Sequence, residues 1–487
     1  MSWFTRSWFA LVVLLGFMLA APRAHAGLRP PDDRIWFEPA PQISLLTFGP
    51  GDEAFFKFGH NAIRVHYPNR GPDLVYNFGT FRFDNPFLIV DFLTGKFKYW
   101  LSVSTFQAVV EAYKAENRDV LEQVLTLNNP DQWDVAEALG NNAQPENRYY
   151  LYDYYRDNCS TRVRDVIDKA THGALREHSD GPGQMSLRDH TLRLVADELW
   201  LYIGLDIAMG SYIDQKETRW TEMFLPERLS EGVGSIVFSG VHGTSPLVKK
   251  RIVHYASVGR PMLRTKPPAR TLAFLQTGLV IGGAWVFLAW EAYRRRQRWA
   301  RALLVISMAL FGLVAGILGT LFLGLWIFTN HQVAFHNENI LQCAPWGLGL
   351  PITAWGLYNS RLGAIRWSYR LVLAGLGASV LGLITKVLPF MAQHNERIIA
   401  LFLPIWCGAV AALYLLQLRI VRPLLIPVAE PASSEVMAEE LATDAEAPRE
   451  PRPSKPPNSR PAPKPKREQE DEEEQRGPSP SQRPAPA

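Results

Sequence analysis

The sequence predicts an α+β domain followed by an α-helical membrane domain. Three observations lead there. Residues 27–265 mix short alternating apolar runs with longer helical periodicities, and are numerous enough to bury a core. Residues 271–420 are dominated by apolar runs of membrane-spanning length. Residues 423–487 are rich in Pro, Ala, Lys and Glu, nearly lack aromatics and cannot bury apolar area, so a disordered tail is expected. The chain averages, a net charge of +4 and 47% hydrophobic residues over 487 positions, hide these three parts. The arginine clusters sit at the ends of apolar runs. A membrane therefore explains them, and no nucleic-acid partner is expected.

The N-terminus reads as a secretory signal peptide over residues 1–26. Arg6 gives a positive start, Trp8 to Ala21 an apolar stretch, and Ala24-His25-Ala26 a small-x-small cleavage signal. Next, "PQISLLTFG" (41–49), "HNAIRVHY" (60–67) and "DLVYNFGTF" (73–81) read as strands, with Gly49, Gly51 and Gly59 marking the first connection as a loop. "FQAVVEAYKAENRDVLEQVLTL" (106–127) reads as one helix. "DQWDVAEALGNNAQ" (131–144) reads as another that stops at Gly140. The segment "FLIVDFLTGKFKYWLSV" (87–103) suits a core strand or helix better than a bilayer-surface element.

Four apolar runs are clear membrane helices: Leu272–Trp290, Ala302–Phe328, Leu371–Phe390 and Ile398–Leu418. Ile340–Tyr358, interrupted by Pro345 and Pro351, is a fifth. The Arg-rich loops 293–301 and 359–370 both fall on the cytoplasmic side only if there are five spans. The soluble domain then lies outside and the tail inside. Gly312 and Gly316 form a small-xxx-small pair suited to close helix packing.

Chemistry concentrates at "YDYYRDNCSTRVRDVIDKA" (152–170). Cys159 is the only cysteine of the soluble part, so it has no disulfide partner there. Asn158 is a favoured N-cap residue, which puts the thiol in a first helical turn beside Arg156, Arg162 and Arg164. Such surroundings lower a thiol pKa and favour the nucleophilic thiolate. His60 in "FGHNAIRV" is the candidate base. His66, on the same strand face, and Asn77, on the next strand, are both open as the orienting third residue. Backbone N–H groups of Cys159 and Ser160 are candidate oxyanion donors. Paired metal-ligand spacing is lacking, so neither metal nor cofactor is expected.

"FGHNAIRV", "NCSTRVRD" and "LDIAMGSYIDQKETRWTEMFLP" (205–226) resemble the periplasmic domain of the Lnb-type lipoprotein N-acyltransferases. That family is similar to the permuted papain-like thiol enzymes of the NlpC/P60 and lecithin–retinol acyltransferase groups, in which His precedes Cys. The resemblance covers roughly residues 35–240. It implies a permuted papain-like fold, with Cys159 as nucleophile and His60 as base. It further implies acyl transfer from a membrane phospholipid, through a thioester, to the N-terminal amine of lipid-modified bacterial lipoproteins. The expected setting is the bacterial inner membrane, with a periplasmic catalytic domain and a cytoplasmic tail. A hydrolase on the same dyad (a cell-wall peptidase or phospholipid deacylase) and a non-enzymatic envelope scaffold are the rivals. Arg64 and Arg162 are candidates for meeting a headgroup. His331, His336 and His394, in two polar loops expected outside the membrane, are candidates for headgroup or acceptor binding. Arg188, Asp206, Asp214, Trp220 and Pro226 are read as structural.

Overall fold

The computed structural model describes residues 39–69, 71–81, 98–240, 243–329, 331–388 and 391–425. The signal peptide, residues 87–97 of the aromatic segment and residues 426–487 of the tail lie outside the described residues.

The N-terminal part is built on a seven-stranded antiparallel sheet. In chain order its strands are β1 (Gln42–Phe48), β2 (His60–His66), β3 (Asp73–Thr80), β4 (Lys98–Thr105), β5 (Val120–Leu125), β6 (Tyr149–Leu151) and, far downstream, β9 (Val248–Tyr255). They lie in the order β6-β4-β3-β2-β1-β5-β9. A short hairpin, β7 (Val237–Gly240) and β8 (Gly243–Pro246), stands apart. Helices α1 (Phe106–Ala115), α2 (Asn129–Asn142) and α3 (Cys159–Ala170) pack on the sheet. Both faces are covered, which is why "ISLLTF" is apolar without alternation. Ile43, Leu45, Ile63 and Val65 join the core that contains Val163 and Ile167 of α3. Leu46, Phe48 and Ala62 pack with Val109 of α1. The predicted α+β class holds.

The helix expected over 106–127 is two elements. It ends at Ala115, Asn117 takes φ 52°, and the chain turns into β5. Asn tolerates the left-handed conformation that makes this turn. "VLEQVL" is then held by ladders to β1 and β9 at once, a tertiary pairing invisible to local periodicity. Gly140 does not stop α2, which runs on to Asn142.

After β6 and α3 come α4 (Ala174–His178), α5 (Leu187–Leu194), α6 (Leu199–Ala208), α7 (Arg219–Glu222) and α8 (Pro226–Ser235). The membrane part follows: α9 (Thr271–Arg294), α10 (Arg298–Phe328), α11 (Gly349–Tyr358), α12 (Leu362–Ile384) and α13 (Glu396–Leu425). Among the described residues four helices are long and apolar enough to cross a membrane: α9, α10, α12 and α13. The fifth expected segment is not one helix. Residues 340–358 pass through short 3-10 turns, Glu338–Leu341 and Pro345–Leu348, before α11. This broken segment still runs alongside α10. A Cβ at Gly319 would collide with the Cys343 carbonyl, one at Gly312 would meet the Gly347 carbonyl at 2.6 Å, and Arg301 donates to Ser360 Oγ. Gly312 and Gly316 thus do allow the backbone approach expected of them.

The two parts are joined through buried polar groups. Arg188, fully buried, donates from all three guanidinium nitrogens. Nε and Nη2 fork onto Asp214 at 2.6 and 3.0 Å, Nη1 reaches Asp206 Oδ1 at 3.1 Å, and Nη2 also meets the carbonyls of Met209 and Gly210. Arg397, at the start of α13, donates to the other side of Asp206 at 2.8 Å. Asn337 and Asn339 donate to the carbonyl of Ile207, and Gln393 to that of Met209. Unpaired, such groups cost several kcal/mol each, so removing any one partner of this connection is destabilising.

Candidate active site

The site is assembled where the start of α3 meets β2 and β3. Gly59 precedes His60 at φ +77°, and a Cβ there would lie 2.8 Å from the Phe48 carbonyl. Only glycine suits that turn, which explains the Gly-His pair. His60 is paired with Phe48 in the β1–β2 ladder. Its ring stacks on Phe48 at 5.8 Å and stands 6.4 Å from Tyr113.

Asn77 on β3 hydrogen-bonds the His60 side chain. His66 sits at the far end of β2, opposite Gln42 and Asp73. At about 3.3 Å per residue it is roughly 20 Å from His60. Its Nδ1 lies 3.5 Å from Asp73 Oδ2, and it does not orient His60.

Asn158 caps α3 as its side chain predicts, and does more. Oδ1 accepts the N–H groups of Ser160 and Thr161 at 2.9 Å each. Nδ2 donates to the carbonyls of Tyr154 at 2.7 Å and Phe224 at 2.9 Å. Thr161 Oγ1 returns the favour by accepting the Asn158 N–H at 2.8 Å. Ser160 Oγ bonds Asn61 Oδ1 at 2.9 Å, and Asn61 Nδ2 bonds the Leu46 carbonyl and Thr47 Oγ1. Asn61 therefore ties the helix start to the strand that carries His60. Sequence reasoning missed it, although "HN" and "CS" each set a small polar residue just after the proposed catalytic one.

Three backbone amides face the Cys159 thiol: those of Asn61, Ser160 and Cys159 itself. They and the charge of Arg118 favour the thiolate, but burial outweighs them and pushes the thiol up to about 11. The lowered thiol pKa expected from nearby arginines is thus overturned. Those arginines are occupied: Arg156 pairs with Glu217, Arg162 forks onto Asp157, and Arg164 pairs with Asp165. His60 is held down to about 4 by burial and by Arg118, against the opposing bond to Asn77. The resting pair is a neutral thiol and a neutral imidazole. Arg118, also unforeseen, is buried behind Tyr113 and held by the Gly49 carbonyl and Glu116.

Of the two oxyanion donors proposed from sequence, the Ser160 N–H is already taken by Asn158 Oδ1. The Cys159 N–H faces its own sulfur. Aromatic rings surround the thiol. Tyr99 and Tyr152 stack at 4.0 Å, and Tyr152 meets Tyr154 edge-on at 5.7 Å.

The remaining candidates have other partners. Arg64 forks onto Asp73, bonds both oxygens of Glu122 and covers the Phe106 ring at 3.6 Å, so it holds the sheet rather than a headgroup. Arg162 lies on the Tyr150 ring at 3.7 Å in addition to its carboxylate. His331 meets Tyr154 edge-on at 6.1 Å, on the aromatic side of the site. His336 lies beside Trp326, and His394 Nδ1 is 3.8 Å from Asp214. The two polar loops contribute chiefly to docking the parts together. Arg188, Asp206 and Asp214 are structural, as expected. Trp220 lies under the guanidinium of Arg164, and Pro226 opens α8. Among the described residues no cluster of His, Cys, Asp and Glu could hold a metal.

Residues 39–197 match the family model described as the Lnb N-terminal periplasmic domain. No curated protein and no solved structure matches the chain.

Proposed function

With an Lnb-type periplasmic domain at residues 39–197 as premise, we propose that this membrane protein is a thiol acyltransferase for lipoproteins. It moves an acyl chain from phospholipid, through a thioester on Cys159, to the N-terminal amine of a lipid-modified lipoprotein. The observation that carries this reading is the amide-lined thiol at the start of α3, beside strand β2, whose first residue is the Asn77-bonded His60.

The chemistry follows from the neutral pair. Imidazole near pKa 4 and thiol near 11 do not exchange a proton at rest. His60 takes the thiol proton only as sulfur attacks the ester carbonyl, which is general-base catalysis. The tetrahedral oxyanion collapses, the acyl–sulfur bond remains, and the imidazolium proton leaves with the lysophospholipid oxygen. The amine then attacks the thioester, His60 accepts its proton, and the thiol is restored. Splitting the transfer in two suits a sulfur nucleophile.

Five passes through the inner membrane suit the arrangement of the helices. The soluble part joins the bundle at the ends marked by Asn337, Gln393 and Arg397. The Arg-rich loops meet at the other end, where Arg301 bonds Ser360. With those loops cytoplasmic, the site faces the periplasm, where both lipidic substrates are within reach.

The test is mass spectrometry of a reporter lipoprotein's N-terminus in a host lacking its own N-acyltransferase. A triacylated N-terminus that requires Cys159 is expected. A diacylated N-terminus in the presence of the protein refutes the transfer. Release of free fatty acid in its place identifies a hydrolase.

A further inference from the structure

One buried hydroxyl beside Cys159 has no task in the scheme above. Tyr150, on β6, has its hydroxyl oxygen out of solvent, with no hydrogen-bond acceptor for its proton among the described residues. A buried hydroxyl without an acceptor is costly, on the order of 1–3 kcal/mol, and such groups call for an explanation. Its ring is fixed by the Arg162 guanidinium at 3.7 Å, itself forked onto Asp157, and by the edge of Phe78 at 6.4 Å.

Gly79 places this hydroxyl relative to the thiol. β3 is irregular between Asn77 and Thr80, and Gly79 takes φ +89° there. An added Cβ at Gly79 would stand 3.4 Å from Cys159 Cβ, 3.9 Å from Tyr152 Cε2 and 4.0 Å from the Tyr150 hydroxyl. One methyl-sized space is therefore bordered by the nucleophile's carbon and by a phenol with an unspent proton. Glycine keeps that space open, and bulges of this kind gather beside active sites. The Gly79 amide faces the phenol oxygen, and burial raises the Tyr150 pKa, so the group stays a donor at neutral pH. Of the three backbone amides that face the thiol, that of Ser160 is already bonded to Asn158 Oδ1.

We propose that Tyr150 is a catalytic residue whose hydroxyl donates to the oxyanion formed when the Cys159 thiol attacks an acyl carbonyl. This rests on the thiol chemistry of the proposed function and not on the identity of donor or acceptor.

Two reagents applied to the full-length protein in detergent separate the roles. Iodoacetamide alkylates Cys159 by displacement and forms no oxyanion. A p-nitrophenyl acyl ester acylates it through a tetrahedral oxyanion. Tyr150→Phe is expected to slow acylation about 10²-fold, the usual effect of losing one such donor, while alkylation stays within about twofold. Equal losses in both reactions, or unchanged acylation, overturn the proposal. Wild-type protein that takes no acyl group from the ester refutes the thioester chemistry and Tyr150's role together. Acylation by the ester with no lipoprotein product in cells refutes only the substrates assigned above, and leaves the Tyr150 comparison decisive.

Discussion

Replacing Asn158 tests how the nucleophile is held. Asn158→Ala removes four hydrogen bonds around one buried side chain. Loss of an N-cap costs about 1 kcal/mol. The Tyr154 and Phe224 carbonyls each lose their Asn158 donor, at about 1–3 kcal/mol apiece. A total of about 3–5 kcal/mol follows, since such terms do not fully add. For a domain of this size that corresponds to a Tm lower by roughly 6–20 °C. Asn158→Asp is the sharper variant. It keeps the cap but sets a carboxylate oxygen against two carbonyl oxygens, where the amide nitrogen now lies at 2.7 and 2.9 Å. The substitution should be at least as damaging at pH 7.5. The introduced carboxyl would have its folded-state pKa raised above about 3.9. Its protonated form donates to one carbonyl, so that part of the stability is present at low pH and lost as pH rises through the raised pKa. Differential scanning fluorimetry of both variants at pH 5 and pH 7.5, each referenced to wild type, reads this directly. A wild-type Tm for Asn158→Asp at pH 7.5, or a deficit that does not shrink at pH 5, would refute the reasoning.

Other consequences follow from the same geometry. Acylation of Cys159 by an activated ester should persist down to about pH 5 and fall only through about pH 4, where His60 becomes protonated; a midpoint near 6.5 would remove the burial argument. His60→Ala should abolish the thioester and Asn77→Ala should lower its rate about tenfold or more, while His66→Ala leaves single-turnover acylation unchanged, because His66 contacts Asp73 instead. Arg64→Ala should lower Tm chiefly by stripping a partner from the buried Glu122, a penalty of about 3 kcal/mol, with a smaller loss at the half-exposed Asp73. Its acylation rate with a short-chain ester should match wild type; a selective rate loss would return Arg64 to the site. Arg397→Ala strips one partner from buried Asp206, and hydrogen exchange in Leu199–Ala208 should rise while β1 and β2 stay protected.

The local code was legible where it is short-range. β1, β2 and β3 fall within a residue or two of their predicted bounds, because each carries a β-rich run bounded by glycine or proline. Asn158 caps α3 because an Asn amide just before a helical periodicity has an orphan N–H to accept. The four long apolar helices follow from length and composition alone. The error at 106–127 arose where the chain's apolar pattern suits either element. Placement of "VLEQVL" between β1 and β9 settled it, and β9 lies more than a hundred residues downstream.

The sequence by itself therefore determined the kind of molecule: an α+β domain, a run of membrane helices, and one unpaired thiol at a capped helix start. Tertiary structure decided the electrostatics and the partners. Charge near a residue in sequence says little when each arginine meets a carboxylate in space, so burial raises the thiol despite Arg156, Arg162 and Arg164. Alternation gives a strand face but not which neighbour it meets, so only the β2–β3 register could separate Asn77 from His66. Tyr150 carries no local signal at all. Its role is set by a strand irregularity at Gly79, seventy-one residues earlier, which brings an unspent proton to the cysteine.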